Sequence, residues 1–311
     1  MTQANSGTGI QPPLAPPLPV IDPPRLAVPQ RGWTWWLGAA ISMAVLVVSL
    51  VELRKVDLSD IEEMIPRTPA FWLVFMASYF MLPVADWMIF RRLWNIPLDG
   101  FVALVRKTIG NELLLGYVGE VYFYTWARRR TGMVSTPFGA IKDVAILSAL
   151  VANAVTMVLL ILAAPLLATM AFGIEAQTLI GSVAVVLVSS SLLLLFRKAL
   201  FSLPRADLFY ASVCHLVRIL VTTGLLALCW HLVLPAVSLQ WWLMLAACRL
   251  LLTRLPLMPN KDIVFAGLAV FLIGHDDEIG ALMTMMATLT LATHLGLGLL
   301  LSVLEAAGWK R

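Results

Sequence analysis

An all-α, polytopic transmembrane helical bundle is the fold class this sequence predicts, and three observations carry it. Hydrophobic residues fill 60% of 311 positions and charged residues only 13%, with a mean hydropathy of +0.88; soluble domains run at about 25% charged. Several apolar runs approach or exceed the roughly 20 residues a helix needs to cross about 30 Å of hydrocarbon. Two segments, Gly110 to Glu120 and Thr253 to Asp262, place Gly or Pro and formal charge inside that apolar background. Broken backbone at membrane depth survives only where protein buries it or a wet cavity meets it, because lipid offers no partner to a freed N–H or C=O. The two breaks are therefore read as interrupted or re-entrant elements that mark the working site.

Taken in order, residues 1–32 are rich in Pro, Gly and Gln with little charge, which predicts a disordered cytoplasmic tail. Residues 33–311 form a single transmembrane domain. Its first span runs from about Trp33 to Leu53, opened by Trp33, Trp35 and Trp36 in the manner of an interfacial aromatic belt. Val56 to Ile65 alternates apolar and acidic residues at helical spacing, as an interfacial helix does, until Pro66 and Pro69 stop it. The second span, about Ala70 to Phe90, closes on Arg91 and Arg92. Phe101 to Lys107 and Val121 to Trp126 are each too short to span, and they flank the first break as a re-entrant hairpin or interfacial pair would.

Further apolar runs follow at about Phe138 to Met170, Ala176 to Phe196, Leu208 to Val233 and Leu239 to Leu252. After the second break come a short run from Ile263 to Ile273, a polar turn from Gly274 to Glu278 and a last span from about Ile279 to Ala306. The expected topology is six spans plus two re-entrant elements, or up to eight crossings. Basic residues at Arg91, Arg92, Arg106, Lys107, Arg128 to Arg130, Arg197, Lys198, Arg205, Lys310 and Arg311 fall on one side if the N-terminus is cytoplasmic. Glu52 to Arg67, with five acidic residues against three basic ones, falls on the other. This places both termini in the cytoplasm of a cell with a multi-pass inner-membrane protein.

The order around each break is similar: an apolar span, basic residues, a broken polar segment, a short helix, then a long span. Broken segments at matching positions of two halves point to a substrate site between inverted repeats. In the first break, Asn111 can satisfy freed backbone groups, Gly110, Gly116 and Gly119 let the backbone turn tightly and come close to a ligand, and Glu112 and Glu120 are acceptors when ionised. In and before the second, Arg249, Arg254 and Lys261 supply positive charge, and Asp262 suits the cap of the helix that follows. Arg and Lys beside a helix start suit a phosphate headgroup, although interfacial snorkelling would place them equally well. Arg218 stands about three turns into its span with His215 on the same face, and it calls for a partner among Glu112, Glu120 and Asp143. Asp86 is read as a local ion pair with Arg91 and Arg92.

Several function classes fall away. Cys214, Cys229 and Cys248 sit in apolar runs without ligand spacing, and His215, His231 and His294 lack the pairing of haem ligands, so neither metal nor cofactor is expected. No P-loop, dinucleotide fingerprint or nucleophile-and-base pattern appears. The basic residues border apolar segments rather than forming a stripe with aromatics, which argues against nucleic acid as a partner.

Leu53 to Leu58, Phe90 to Trp94, Gly110 to Glu120 and Leu255 to Asp262 occur in an order that resembles the membrane domain of lysylphosphatidylglycerol synthases and its stand-alone flippase-like relatives. Asn111, Gly119 and Glu120 match the first motif, which lacks its Pro here; in the second, Pro256 and Pro259 remain while Asn260, Lys261 and Asp262 replace a Gly-rich run. The resemblance implies movement of an aminoacylated phospholipid between leaflets, and it covers the membrane domain without implying transferase activity. Membrane lipids are thus the expected partners. A non-transporting membrane partner that anchors an envelope enzyme is the second reading, and a membrane-embedded transferase the third.

Overall fold

The computed structural model describes residues 65–113, 118–130, 137–169, 201–254 and 276–306, with isolated helical positions at 181–191 and 265–269. These described residues are all-helical and contain no strand. Seven helices follow in order: α1 (Pro69–Trp94), α2 (Leu98–Leu113), α3 (Val118–Arg130), α4 (Pro137–Thr169), α5 (Arg205–Val233), α6 (Leu239–Arg254) and α7 (Asp276–Ala306). Among the described residues, four stretches are long and apolar enough to cross a membrane: Pro69–Trp94, Pro137–Leu162, Arg205–Val233 and Glu278–Leu301. The chain is a multi-pass integral membrane protein built as a helical bundle. The Trp33 to Leu53 span, the acidic segment through Met64, most of the Ala176 to Phe196 span and most of the second break lie outside the described residues.

Helix α1 starts at Pro69, whose fixed φ and missing N–H suit a first helical position. It ends where Asn95 turns left-handed at φ 50° and donates its N–H to the Arg91 carbonyl at 2.8 Å. Asparagine tolerates that conformation better than most side chains. Pro97 follows at once and keeps the helix from resuming before α2. Within α1, Pro83 deletes one rung of the ladder, to the Tyr79 carbonyl, one turn before Asp86.

Helix α5 is the hub, packed against α1, α4 and α6. One apolar cluster joins Phe71 and Phe75 from the start of α1, Trp230 from the end of α5, Trp242 and Leu245 of α6, and Ile279 and Leu282 from the start of α7. A second joins the opposite ends of α1 and α5 (Ile89, Phe90, Ala211, Cys214) with Leu104 of α2, Phe123 of α3 and Val144 of α4. Helices α1 and α5 thus run antiparallel, and α2 and α3 pack at the second end. Arg91, Arg92, Arg205 and Lys142 sit in the helix termini of that same end. Helix α6 is 16 residues, about 24 Å long, so the apolar run at Leu239 to Leu252 is shorter than a full crossing.

The approach to α5 is fixed by Asp143, completely buried in the second turn of α4. Its Oδ2 accepts from the Ser202 N–H at 2.6 Å, the Ser202 hydroxyl at 2.9 Å and the Leu203 N–H at 2.8 Å. Asp143→Ala removes all three and leaves two backbone donors without their acceptor. We expect a loss of about 1–3 kcal/mol, read as an earlier unfolding transition in detergent; an unchanged transition would remove Asp143 from this role.

Candidate functional site

Helices α2 and α3 form an antiparallel hairpin around the first sequence break. At 16 and 13 residues they are about 24 and 20 Å long, short of the roughly 30 Å hydrocarbon core. At the open end, a Cβ on Gly100 would lie 3.0 Å from the Trp126 ring. At the closed end, a Cβ on Gly110 would lie 3.5 Å from the Gly119 Cα. Glycine is required at 119, because a Cβ there would overlap the Lys107 carbonyl and come within 2.6 Å of Asn111 Oδ1. That close approach lets the Gly119 N–H, unsatisfied at a helix start, donate to Asn111 Oδ1 at 2.8 Å.

The hairpin is docked by charge. Lys107 Nζ donates to Asp86 Oδ2 of α1 at 2.7 Å and pairs with Glu120 Oε1 of α3 at 3.4 Å. One ammonium thereby joins α1, α2 and α3. Asp86 is eight residues from the end of α1, about 12 Å along the axis, so the bridge lies inside the bundle rather than at its rim. The side chains of Asp86 and Lys107 are 3% and 12% exposed. His215 and Arg218 of α5 lie within electrostatic range of Asp86, and Arg218 Nη2 donates to Ser148 Oγ of α4 at 3.2 Å. Two acids and two permanent cations thus lie on four helices, α1, α2, α3 and α5. Glu120 Oε2 is buried without a hydrogen-bond partner among the described residues.

Nearer the closed end, the hairpin meets α7 and the middle of α1. Arg106 Nη2 donates to the Leu301 carbonyl at 2.7 Å, and a Cβ on Gly298 would touch Ile109 at 3.6 Å. Glu112 is exposed and within electrostatic range of Tyr79 and His294, whose Oη and Nδ1 are 2.7 Å apart.

Asn111, Glu120 and Arg218 of the sequence-derived residues gather around this hairpin with Gly119, and Glu112 lies at its tip. Arg249 lies elsewhere: its guanidinium is 5.7 Å over Phe265 and its Nη1 is 4.0 Å from Met283 Sδ, in the opposite apolar cluster. Arg254 ends α6, while Lys261 and Asp262 lie outside the described residues.

One reading is corrected. Asp86 pairs with Lys107, not with Arg91 or Arg92; Arg91 covers the Trp87 ring at 4.8 Å, and Arg92 Nε binds Asp207 Oδ1 at 3.0 Å. A helix places residues five or six apart on different faces, which separates Asp86 from both arginines. Of the three carboxylates offered as partners of Arg218, Asp143 accepts three hydrogen bonds from the Ser202 turn through its Oδ2. The residue missed as part of the site is Lys107, read only as a marker of orientation. Its signal was register: Leu104 and Ala103, three and four residues earlier, are buried, and Gly110 and Asn111 continue the same face.

No family model, curated protein or solved structure matches the chain. Among the described residues, no group of three His, Cys, Asp or Glu side chains is placed to hold a metal ion.

Proposed function

We propose that this protein binds a lipid or lipid-linked molecule and moves it between the leaflets of the inner membrane, with both termini in the cytoplasm. The observation that carries the reading is the Asp86–Lys107–Glu120 bridge, which ties a hairpin too short to cross the membrane to the first long span. Intramembrane charge is costly and is kept where it works. A hairpin held by ion pairs at depth separates from its bundle along a polar seam, and a polar seam is what a headgroup needs in order to pass through hydrocarbon. Glu120 Oε2, buried without a partner, supplies an acceptor for a cationic or hydroxyl-bearing headgroup. Arg218 supplies the positive charge for its phosphate. Arg249, Arg254, Lys261 and Asp262 would belong to the facing half.

The likeness of Asn111, Gly119 and Glu120 to the flippase-like membrane domain supports the same reading. So does the gathering of Arg91, Arg92, Arg205 and Lys142 at the hairpin's open end, because basic termini face the cytoplasm.

The test is lipid movement in proteoliposomes carrying fluorescent phospholipids. Glu120→Gln keeps the size and removes the charge, and Arg218→Ala removes the cation. Each variant, shown to be folded, should move lipid at least about tenfold more slowly, a difference of about 1.4 kcal/mol in the barrier. Parent-like rates in both variants would sink the transport reading. Parent protein that moves no lipid, and co-purifies with one envelope enzyme, would favour the anchoring role.

A further inference from the structure

Where α1 hands over to the hairpin, the chain turns through Asn95, Ile96 and Pro97 and leaves an open cleft of about 600 Å³. That volume falls within the range of small-molecule sites, about 300–1,000 Å³. Its walls are unlike one another. Trp87 and Arg91 come from the last turns of α1, Asn95 and Pro97 from the turn, and Leu98 and Asp99 from the start of α2. The cleft is separate from the buried bridge: Asp86 faces Lys107, whereas Trp87 and Arg91, four residues apart, share a different face of α1.

Arg91 distinguishes this cleft from an ordinary helix end. Its neighbour Arg92 is occupied by Asp207 and lies over Tyr210 at 4.5 Å. Arg91 is exposed, its guanidinium carbon lies 4.8 Å from the centre of the Trp87 ring, and it has no carboxylate partner among the described residues. The ring contact holds the cation beside Trp87 and leaves its N–H donors for an outside acceptor such as a phosphate. Asp99, in the first turn of α2, lines the same cleft. One cation and one anion lining a single cleft complement a ligand that carries both charges.

The surroundings identify the source of that ligand. The cleft lies at the end of a 26-residue span, closed by a tryptophan at the depth where aromatic belts meet headgroups. Leu98 on its lip is 75% exposed, and Pro97 is exposed beside it. A soluble zwitterion would gain nothing from that apolar lip, whereas a lipid lays its glycerol and upper acyl chain along it.

We propose that this cleft binds the headgroup of a zwitterionic phospholipid bearing a primary ammonium, with the phosphodiester on Arg91 and the ammonium toward Asp99. The site goes beyond the transport reading and does not rest on it, since it needs only that the α1 terminus meet the headgroup layer. Its position at the α1–α2 turn places the bound lipid against the base of the hairpin.

The experiment is native mass spectrometry of the delipidated full chain after re-addition of phosphatidylethanolamine, phosphatidylglycerol or phosphatidylcholine in mixed micelles. The parent should retain phosphatidylethanolamine in preference to the other two. Arg91→Ala should lower that retention about tenfold, and Arg91→Lys should recover part of it. Asp99→Asn should abolish the preference for the ethanolamine headgroup while leaving phosphatidylglycerol retention unchanged. Arg205→Ala, an exposed cation at the same end but outside the cleft, should match the parent. Equal retention in the parent and Arg91→Ala, or an equal loss in Arg205→Ala, would overturn the site and show unselective attraction to phosphates. A Glu120→Gln protein that keeps its phosphatidylethanolamine but moves no lipid would leave this site standing and locate the defect in the hairpin.

Discussion

Replacing Lys107 with Met should destabilise the folded protein by about 3–5 kcal/mol, the cost of breaking a buried ion pair while leaving its partners in place. The substitution keeps most of the side chain's length and apolar stem, so the loss reports the ammonium. Without it, Asp86 at 3% side-chain exposure and Glu120 at 20% face each other's negative charge with no bridging donor. Desolvated carboxylates cost several kcal/mol each unless paired. The Asp86→Asn/Lys107→Met double variant should recover a large part of the loss, because the uncompensated charge is then gone. An SDS-driven unfolding cycle of the two single variants and the double variant measures the coupling. A coupling energy near zero would show that the 2.7 Å contact does not hold the hairpin.

Gly119→Ala should have the second-largest effect. Its added methyl would overlap the Lys107 carbonyl, which is helix backbone and can yield only if α2 and α3 separate. Overpacking of this kind costs about 1–3 kcal/mol, and we place this site at the upper end, because separation also breaks the Asn111–Gly119 bond and lengthens the Lys107–Glu120 pair. Gly110→Ala is the internal comparison: its methyl meets the Gly119 Cα at an ordinary 3.5 Å. Gly296→Ala in α7 meets nothing within 4 Å, and its better helix propensity, worth up to about 1 kcal/mol, should leave stability unchanged or raised. Thermal unfolding in detergent should therefore rank Gly119→Ala far below the other two. Equal transitions for all three would mean the hairpin is not closely packed.

The helical bundle was legible in the sequence because long apolar runs have few other solutions in a membrane. The hairpin was legible for a related reason: Gly110, Gly119 and the charges of Glu112 and Glu120 are ill-suited to lipid, and the flanking apolar segments are too short to cross. Partner choice was not legible. Asp86 has arginines five and six residues away in sequence, yet the partner is 21 residues away, because only the fold decides which helix faces the inner side of α1. Arg218 shows the same limit: the sequence left its partner open among Glu112, Glu120 and Asp143, and only the fold shows its bond to Ser148 and its nearness to Asp86. Register along α2 would have recovered Lys107, since its three- and four-residue neighbours are buried Leu104 and Ala103 on one side and Gly110 and Asn111 on the other.

If the hairpin moves during transport, tethering it should stop transport. Ile109 of α2 and Gly298 of α7 approach closely enough that a Cβ on Gly298 would lie 3.6 Å from the Ile109 side chain. With Cys214, Cys229 and Cys248 replaced by Ala, Ile109→Cys/Gly298→Cys can be joined by a short, reducible bifunctional thiol crosslinker. Lipid movement in proteoliposomes is then followed before crosslinking, after it, and after reduction. Movement should cease on crosslinking and return on reduction; unchanged movement through the tethered protein would show that the hairpin need not move.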